Sequence, residues 1–273
     1  MTDLYCVFGN PVSHSRSPDI HHAFAAQRGE DLRYEKRQAP LDGFADAVEQ
    51  FWADGGKGAN VTVPFKEQAF ALCDAVTERA EHAGAVNTLW RDGERLHGDN
   101  TDGVGLVTDI RVNLGRELQG KRVLILGAGG AVRGVLAPLL TEKPTLVRIA
   151  NRTAEKAEIL ARRVMGGDHP PVLGSGLDGL AGQFDVVINA ISAGLHGEMP
   201  VLPEGLFADG ALAYDMLYGA EPTPFMRWAK AQGGAQVADG LGMLVEQAAA
   251  AFQIWRGWQP HTAALMASLR SGA

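Results

Sequence analysis

Short apolar runs alternate with segments of helical period through the first hundred residues. Leu4 to Phe8, Leu32 to Arg37 and Ala59 to Val63 read as strands. Ser17 to Gln27, Phe44 to Ala53 and a stretch after Pro64 carry the helical spacing. Val86 to Trp90 and Arg95 to His97 bracket Asp92-Gly93, a hairpin turn. Strands that alternate with helices predict an α/β layer on a mainly parallel sheet. A second series starts at Lys121. Val123 to Leu126 is apolar throughout, as expected of a strand covered on both faces. A glycine turn and a helix to about Leu140 follow. Leu146 to Ala150, Asp185 to Asn189, Ala211 to Asp215 and Ala235 to Val237 continue as strands, with a helix over Ala154 to Val164. Leu241 to Trp255 and His261 to Leu269 are helical.

This order predicts two α/β domains. The first spans 1–102 and the second, of nucleotide-binding type, spans 103–239. The helical tail, 240–273, is the remaining piece. At 273 residues the chain has room for two domains of ordinary size. A net charge of −7 speaks against a nucleic-acid partner, which needs a concentrated positive surface. The two cysteines, Cys6 and Cys73, make no disulfide framework, so the expected compartment is the reducing cytoplasm. No apolar stretch approaches the roughly 20 residues of a membrane span, and the first residues lack the basic and apolar regions of a signal peptide. A monomer or homodimer acting on a small molecule is the expectation.

The sharpest local pattern is Lys121-Arg-Val-Leu-Ile-Leu-Gly127-Ala128-Gly129-Gly130-Ala131, where a strand turns into a helix. A tight glycine turn lets backbone N–H groups reach a pyrophosphate, and the positive end of the helix favours it. The third small residue of the usual fingerprint is replaced by Val132. The next strand ends Ile149-Ala150-Asn151-Arg152-Thr153, with no carboxylate at that place. A carboxylate at its tip would select NAD by holding the ribose 2′-hydroxyl. It would also repel a 2′-phosphate, by about 4 kcal/mol for unit charges 4 Å apart at effective dielectric 20. Arg152 offers that phosphate a planar, permanent cation. NADP is therefore favoured over NAD.

Four polar stretches border the apolar strands of the first domain. In Gly9-Asn10-Pro11-Val12-Ser13-His14-Ser15-Arg16-Ser17-Pro18, Ser17 before Pro18 fits a helix cap, which leaves Ser15 free. In Asn60-Val-Thr62-Val-Pro64-Phe65-Lys66, the polar residues alternate on one strand face and Lys66 follows. Ala85-Val86-Asn87-Thr88 and Gly98-Asp99-Asn100-Thr101-Asp102-Gly103 complete the set. Hydroxyls, amides, one lysine and two aspartates, without metal-ligand spacing, suit a polyhydroxylated substrate. His21 and His22 are adjacent and do not share a helix face, and neither His-Glu-x-x-His nor Cys-x-x-Cys occurs. Gly-x-Ser-x-Gly is also absent, which gives a serine hydrolase no support.

These stretches resemble shikimate dehydrogenases in sequence and in order. So do Gly127 to Ala131, Asn151 to Thr153, Tyr214-Asp-Met-Leu-Tyr218 and Ala238-Asp-Gly-Leu-Gly-Met-Leu-Val-Glu-Gln247. The resemblance covers essentially the whole chain. It implies reversible, NADPH-dependent reduction of 3-dehydroshikimate to shikimate in aromatic amino-acid biosynthesis. It also implies a substrate domain with a mainly parallel sheet, a Rossmann-type NADP domain, and a C-terminal helix that returns to the first. Ser15, Ser17, Thr62, Asn87, Asp102, Tyr218 and Gln247 would contact substrate, with the serines on its carboxylate. Lys66 and Asp102 would form the catalytic pair, the lysine as proton donor, since an ordinary lysine (pKa about 10.4) is charged at neutral pH. Glu78, Gly127 to Ala131, Asn151 to Glu155, Met216 and Gly240 would line the NADP side. Ile191 departs from the threonine that members often carry, which removes a hydroxyl near the nicotinamide end. Quinate or aminoshikimate dehydrogenases share the fold. A non-catalytic dinucleotide sensor would have no use for Lys66 and Asp102.

Overall fold

The computed structural model describes residues 2–164, 169–191, 199–234 and 236–271. The chain divides into two compact units, Met1–Gly105 with Val245–Ala273, and Leu106–Leu244. The divisions fall inside helices, which explains why no loop signal marks them. The sequence reading had put them at 102/103 and 239/240.

In the first unit, β1 (Asp3–Gly9) pairs in parallel with β2 (Leu32–Gln38) and β3 (Gly56–Val61). A hairpin of β5 (Thr88–Asp92) and β6 (Arg95–Asp99) adds antiparallel to β3, and the short β4 (Ala75–Val76) closes the edge in parallel with β6. The sheet order is β2-β1-β3-β5-β6-β4. The hairpin turn sits one residue later than expected, on Gly93-Glu94, with Gly93 at φ 61°. α1 (Ser17–Ala26), α2 (Phe44–Ala53), α3 (Lys66–Leu72) and α4 (Glu78–Ala83) connect the strands. On one side of the sheet, α2 buries Phe44, Val48, Phe51 and Trp52 against Phe8, Val61, Phe65 and Leu89. Phe8 meets Phe44 and Phe51 edge-on at 5.7 and 5.8 Å, a geometry that adds about 0.5–1.5 kcal/mol per pair beyond area.

α5 (Asp102–Thr108) runs into a π-helical turn, Asp109–Asn113, and leads to the second unit. Here β7 (Arg122–Leu126), β8 (Leu146–Asn151), β9 (Val172–Gly176), β10 (Phe184–Asn189), β11 (Phe207–Asp215) and β12 (Gln236–Ala238) form one wholly parallel sheet. Counted within this unit, the order β9-β8-β7-β10-β11-β12 is 3-2-1-4-5-6, that of dinucleotide-binding folds. Side chains of β7 alternate between two cores. Val123 and Ile125 face one, and Leu124 and Leu126 the other. That double burial is the reason the strand reads as apolar throughout. α6 (Gly130–Thr141), α7 (Ala154–Arg163) and α8 (Pro224–Ala231) supply the crossovers. Val132, at the fingerprint's third position, is buried in the Val123/Ile125 core. α9 (Leu241–Arg256) and α10 (Ala263–Ser271) end the chain. Among the described residues no helix is long and apolar enough to cross a membrane, and no group of three His, Cys, Asp or Glu is placed to hold a metal.

Candidate active site

In the first unit, the two residues read as a catalytic pair meet. Lys66 opens α3 and Asp102 opens α5, and Lys66 Nζ donates to Asp102 Oδ2 at 2.5 Å. Asn87 Nδ2 donates to the other oxygen, Asp102 Oδ1, at 2.9 Å. The same amide nitrogen lies 3.3 Å from Gln247 Oε1, and Thr101 Oγ1 lies 3.5 Å from it. Lys66, Asn87, Asp102 and Gln247, from four segments distant in sequence and all four named in the sequence analysis, thus meet in one cluster. Backbone bonds fix the frame: Val86 N–H donates to Lys66 O at 2.9 Å and Asn87 N–H to Asp99 O at 2.9 Å.

The carboxyl end of β6 is held as firmly. Buried Asp99 accepts a two-pronged contact from Arg79, at 2.7 and 2.5 Å, and a third bond from Thr77 Oγ1 at 2.5 Å. Thr77 also caps α4 by accepting from Ala80 N–H. Asn100, buried beside it, donates to Ala85 O at 3.0 Å and accepts from Asp102 N–H at 3.2 Å. The ion pair therefore anchors the turn from which Asp102 projects.

Ser15 and Ser17 lie together, with Ser15 Oγ donating to Ser17 Oγ at 3.2 Å. Ser17 is the first residue of α1 rather than its cap. Arg16 takes the cap position with no side-chain cap bond of its own, and Ser15 Oγ accepts from Ser17 N–H at 3.3 Å, so the two hydroxyls are held side by side at the start of α1. Thr62 follows β3, its N–H donating to Phe8 O at 2.8 Å and its methyl lying where a Gly9 Cβ would stand. Glu78 is the exposed first residue of α4.

The second unit holds a cleft of about 440 Å³ at the carboxyl ends of β7, β8 and β10. Gly127, Ala128, Gly129, Asn151, Arg152, Thr153 and Ile191 are among its walls. It lies at the point where the strand order reverses, the usual ligand position in such sheets. Gly127 has φ 113°, a conformation that requires glycine, and a Cβ there would also be crowded, 3.1 Å from Ala190 O. Gly129 precedes α6, while Gly130 and Ala131 form its exposed first residues, which leaves the N-terminal N–H groups open to an anion. Thr153 occupies the cap position of α7 but its side chain makes no cap bond; instead Asn151 Nδ2 donates to Thr153 O at 3.0 Å. Ala154 and Glu155 open α7.

Arg152 is exposed, without a carboxylate partner among the described residues, and no acid stands at the end of β8. Lys156 also lines the cleft and was not named from the sequence. Its position four residues after Arg152 is the signal that could have found it. Two cations and a helix N-terminus fit a dinucleotide with an extra phosphate. Ile191 presents an apolar wall there, its N–H bonded to Asn189 Oδ1.

Met216 and Tyr218 follow β11. Met216 N–H donates to Asn189 O at 2.9 Å, and Gly240 N–H to Leu217 O at 3.0 Å. A Cβ on Gly240 would lie 2.3 Å from Met216 O, so only glycine fits. Asp215 ties the loop together by accepting from Asn189 Nδ2, Leu217 N–H and Thr223 Oγ1. Burial raises its carboxyl above the usual range, against the pull of these three donors. Ser192, Ala193 and Gly194, which follow Ile191 in the sequence, lie outside the described residues.

Three family models match the chain. They are the shikimate dehydrogenase substrate binding domain over residues 7–89, shikimate / quinate 5-dehydrogenase over 110–200, and the shikimate 5'-dehydrogenase C-terminal domain over 240–270. The shikimate dehydrogenase (NADP(+)) of Alcanivorax borkumensis is 75% identical over 98% of this chain and 97% of its own. The crystal structure of shikimate 5-dehydrogenase from Thermus thermophilus, in complex with NADP(H) and shikimate, has a TM-score of 0.85. It is 31% identical and covers all of both chains (100% each). The ligand-free 5-ketofructose reductase of a Gluconobacter strain is 30% identical, with a TM-score of 0.87, covering 100% of this chain and 99% of its own. The chain belongs to the shikimate dehydrogenase family, NADP-dependent oxidoreductases.

Proposed function

We propose that the protein reduces 3-dehydroshikimate to shikimate with NADPH, reversibly, in the biosynthesis of aromatic amino acids. The first unit would bind the substrate and the second the dinucleotide. The observation that carries this reading is the Lys66–Asp102 contact of 2.5 Å, framed by Asn87 and Gln247, in a member of this family.

NADPH, when bound, supplies the hydride that converts the C3 ketone to an alkoxide. Lys66 Nζ–H gives its proton to that oxygen, so the ketone gains one hydride and one proton and becomes the C3 hydroxyl. The lysine regains its proton from water, to which it is partly open. Asp102 accepts from Lys66 and holds the ammonium in place, leaving it the orienting partner rather than a second acid. Ser15 and Ser17 would bind the substrate carboxylate. Thr62, Asn87, Tyr218 and Gln247 would bind its hydroxyls. Gly127 to Ala131 would cradle the pyrophosphate and Arg152, with Lys156, the 2′-phosphate. Asn151, Thr153 to Glu155, Glu78, Met216 and Gly240 would complete the cofactor contacts. The compartment would be the cytoplasm.

A screen of shikimate, quinate and 5-ketofructose against both NADP and NAD tests this reading. Rapid turnover of shikimate with NADP, and slow turnover of the other combinations, is the expected result. Preference for quinate or 5-ketofructose would overturn the substrate, and preference for NAD would overturn the role of Arg152.

A further inference from the structure

The Asn87 amide that donates to Asp102 is itself held from behind. Its Oδ1 accepts from the backbone N–H of Thr101 at 2.9 Å. A backbone N–H only donates, so the orientation of the Asn87 amide is fixed. Asn87 Oδ1 also accepts from Thr88 Oγ1 at 2.9 Å. Thr88 Oγ1 in turn accepts from Asn60 Nδ2 at 3.3 Å, and Asn60 Nδ2 also donates to Asn87 O at 3.1 Å. A carbonyl only accepts, which fixes the Asn60 amide as well. Its Oδ1 is left facing the Tyr34 hydroxyl at 2.6 Å and His21 Nε2 at 3.1 Å, and both must donate.

The tautomer of His21 follows. The proton sits on Nε2, and Nδ1 is bare, buried and without a hydrogen-bond partner. A second proton would place an N–H where nothing accepts it. Burial accordingly pushes the His21 imidazole down to about 3. The ring is fully buried, stacked on Tyr34 at 4.5 Å and 8°, with Phe252 and Trp255 alongside. Packing alone would be served by phenylalanine, without leaving a polar atom bare in the core. What histidine adds is a donor aimed at Asn60.

We propose that His21 and Tyr34 are positioning residues for the reaction. Both donate to Asn60 Oδ1, which the backbone bonds already turn toward them, and so hold the sequence Asn60–Thr88–Asn87–Asp102 in place, with the Lys66 ammonium at its end. This inference rests on the catalytic reading of Lys66 and Asp102.

The test compares Tyr34→Phe, His21→Phe and their double variant with His21→Gln, whose side-chain N–H occupies about the place of Nε2. Each single loss leaves Asn60 Oδ1 one donor, and kcat should fall about fivefold, the equivalent of one hydrogen bond. The double variant leaves it none, so its loss should exceed the product of the singles, at roughly a hundredfold. His21→Gln should keep kcat within about twofold. The KM for NADP should stay unchanged in all of them. Should the double variant fail to fold, 15N shifts of His21 in the intact protein decide. The proposal expects a protonated Nε2 and a bare Nδ1, and the opposite tautomer overturns it. Folded variants with parental kcat also overturn it. An inactive parent would instead overturn the proposed reaction, so the two failures are told apart.

Discussion

Replacing Lys66 by alanine should separate catalysis from stability. The amine donates to Asp102 at 2.5 Å and its side chain is 27% exposed, that of Asp102 13%. A pair this open to water is worth about 0–1 kcal/mol to the fold. Asp102 also keeps its bond from Asn87 at 2.9 Å, so it is not left as an unpartnered charge. For a chain of this size, 1 kcal/mol moves Tm by roughly 2–4 °C. Loss of a positioned proton donor costs about 10²–10⁴ in rate, or about 3–5 kcal/mol at 1.36 kcal/mol per tenfold. The chemical effect therefore exceeds the structural one several times over. Steady-state rates of shikimate oxidation, followed at the nicotinamide absorbance band, give kcat and KM; a thermal melt gives Tm. The expected outcome is a fall in kcat of at least a hundredfold, KM for shikimate within a few fold, and Tm within a few degrees. Turnover within threefold of the parent would refute the role of Lys66.

Other perturbations reach other parts of the account. Arg152→Ala should raise KM for NADPH and leave KM for NADH nearly unchanged, with Lys156→Ala a weaker copy; equal losses with both cofactors would count against a 2′-phosphate contact. Gly240→Ala forces a Cβ to within 2.3 Å of Met216 O and should weaken NADPH binding and lower Tm together; a parental melt and parental KM would contradict that packing. His21 is pushed down to about 3 from an ordinary 6.5, so the unfolded chain binds more protons between those values. Its contribution to stability is then full above about 6.5 and lost as pH falls toward 3. Tm of the parent should drop across that window, and His21→Gln should flatten the drop; parallel curves would show that His21 does not titrate on unfolding.

Much of the fold is readable from local pattern, for reasons that differ by element. Phe44–Ala53 is both the predicted and the observed helix, since its apolar residues fall on one face behind Gly43. β7 is readable because it is covered on both sides. β3 begins earlier than predicted, at Gly56, because its glycines pair with β1 but give no apolar signal. β4 has only two residues and β9 reads Val-Leu-Gly-Ser-Gly, too little alternation to mark a strand. α4 and α8 went unread although both carry stop and start residues: Thr77 and Gly84 bound the first, and Thr223 with Pro224 opens the second.

The site divides in a similar way. Lys66, Asn87 and Asp102 stand in polar stretches beside apolar strands, Gln247 was named only through the family resemblance, and the fold brings these four together. The supporting layer is invisible to such reading. Asn60 lies 39 residues from His21 and 26 from Tyr34, and only the parallel pairing of β1 with both β2 and β3 brings them into contact. A histidine on a helix face and a tyrosine in an edge strand give no local sign of sharing one acceptor.

The most direct measurement follows the transferred atom. NADPH carrying deuterium at the reactive C4 position, incubated with the protein and 3-dehydroshikimate, should yield shikimate with one deuterium, bonded to C3. Shikimate formed without that label, or no shikimate at all, would contradict the account.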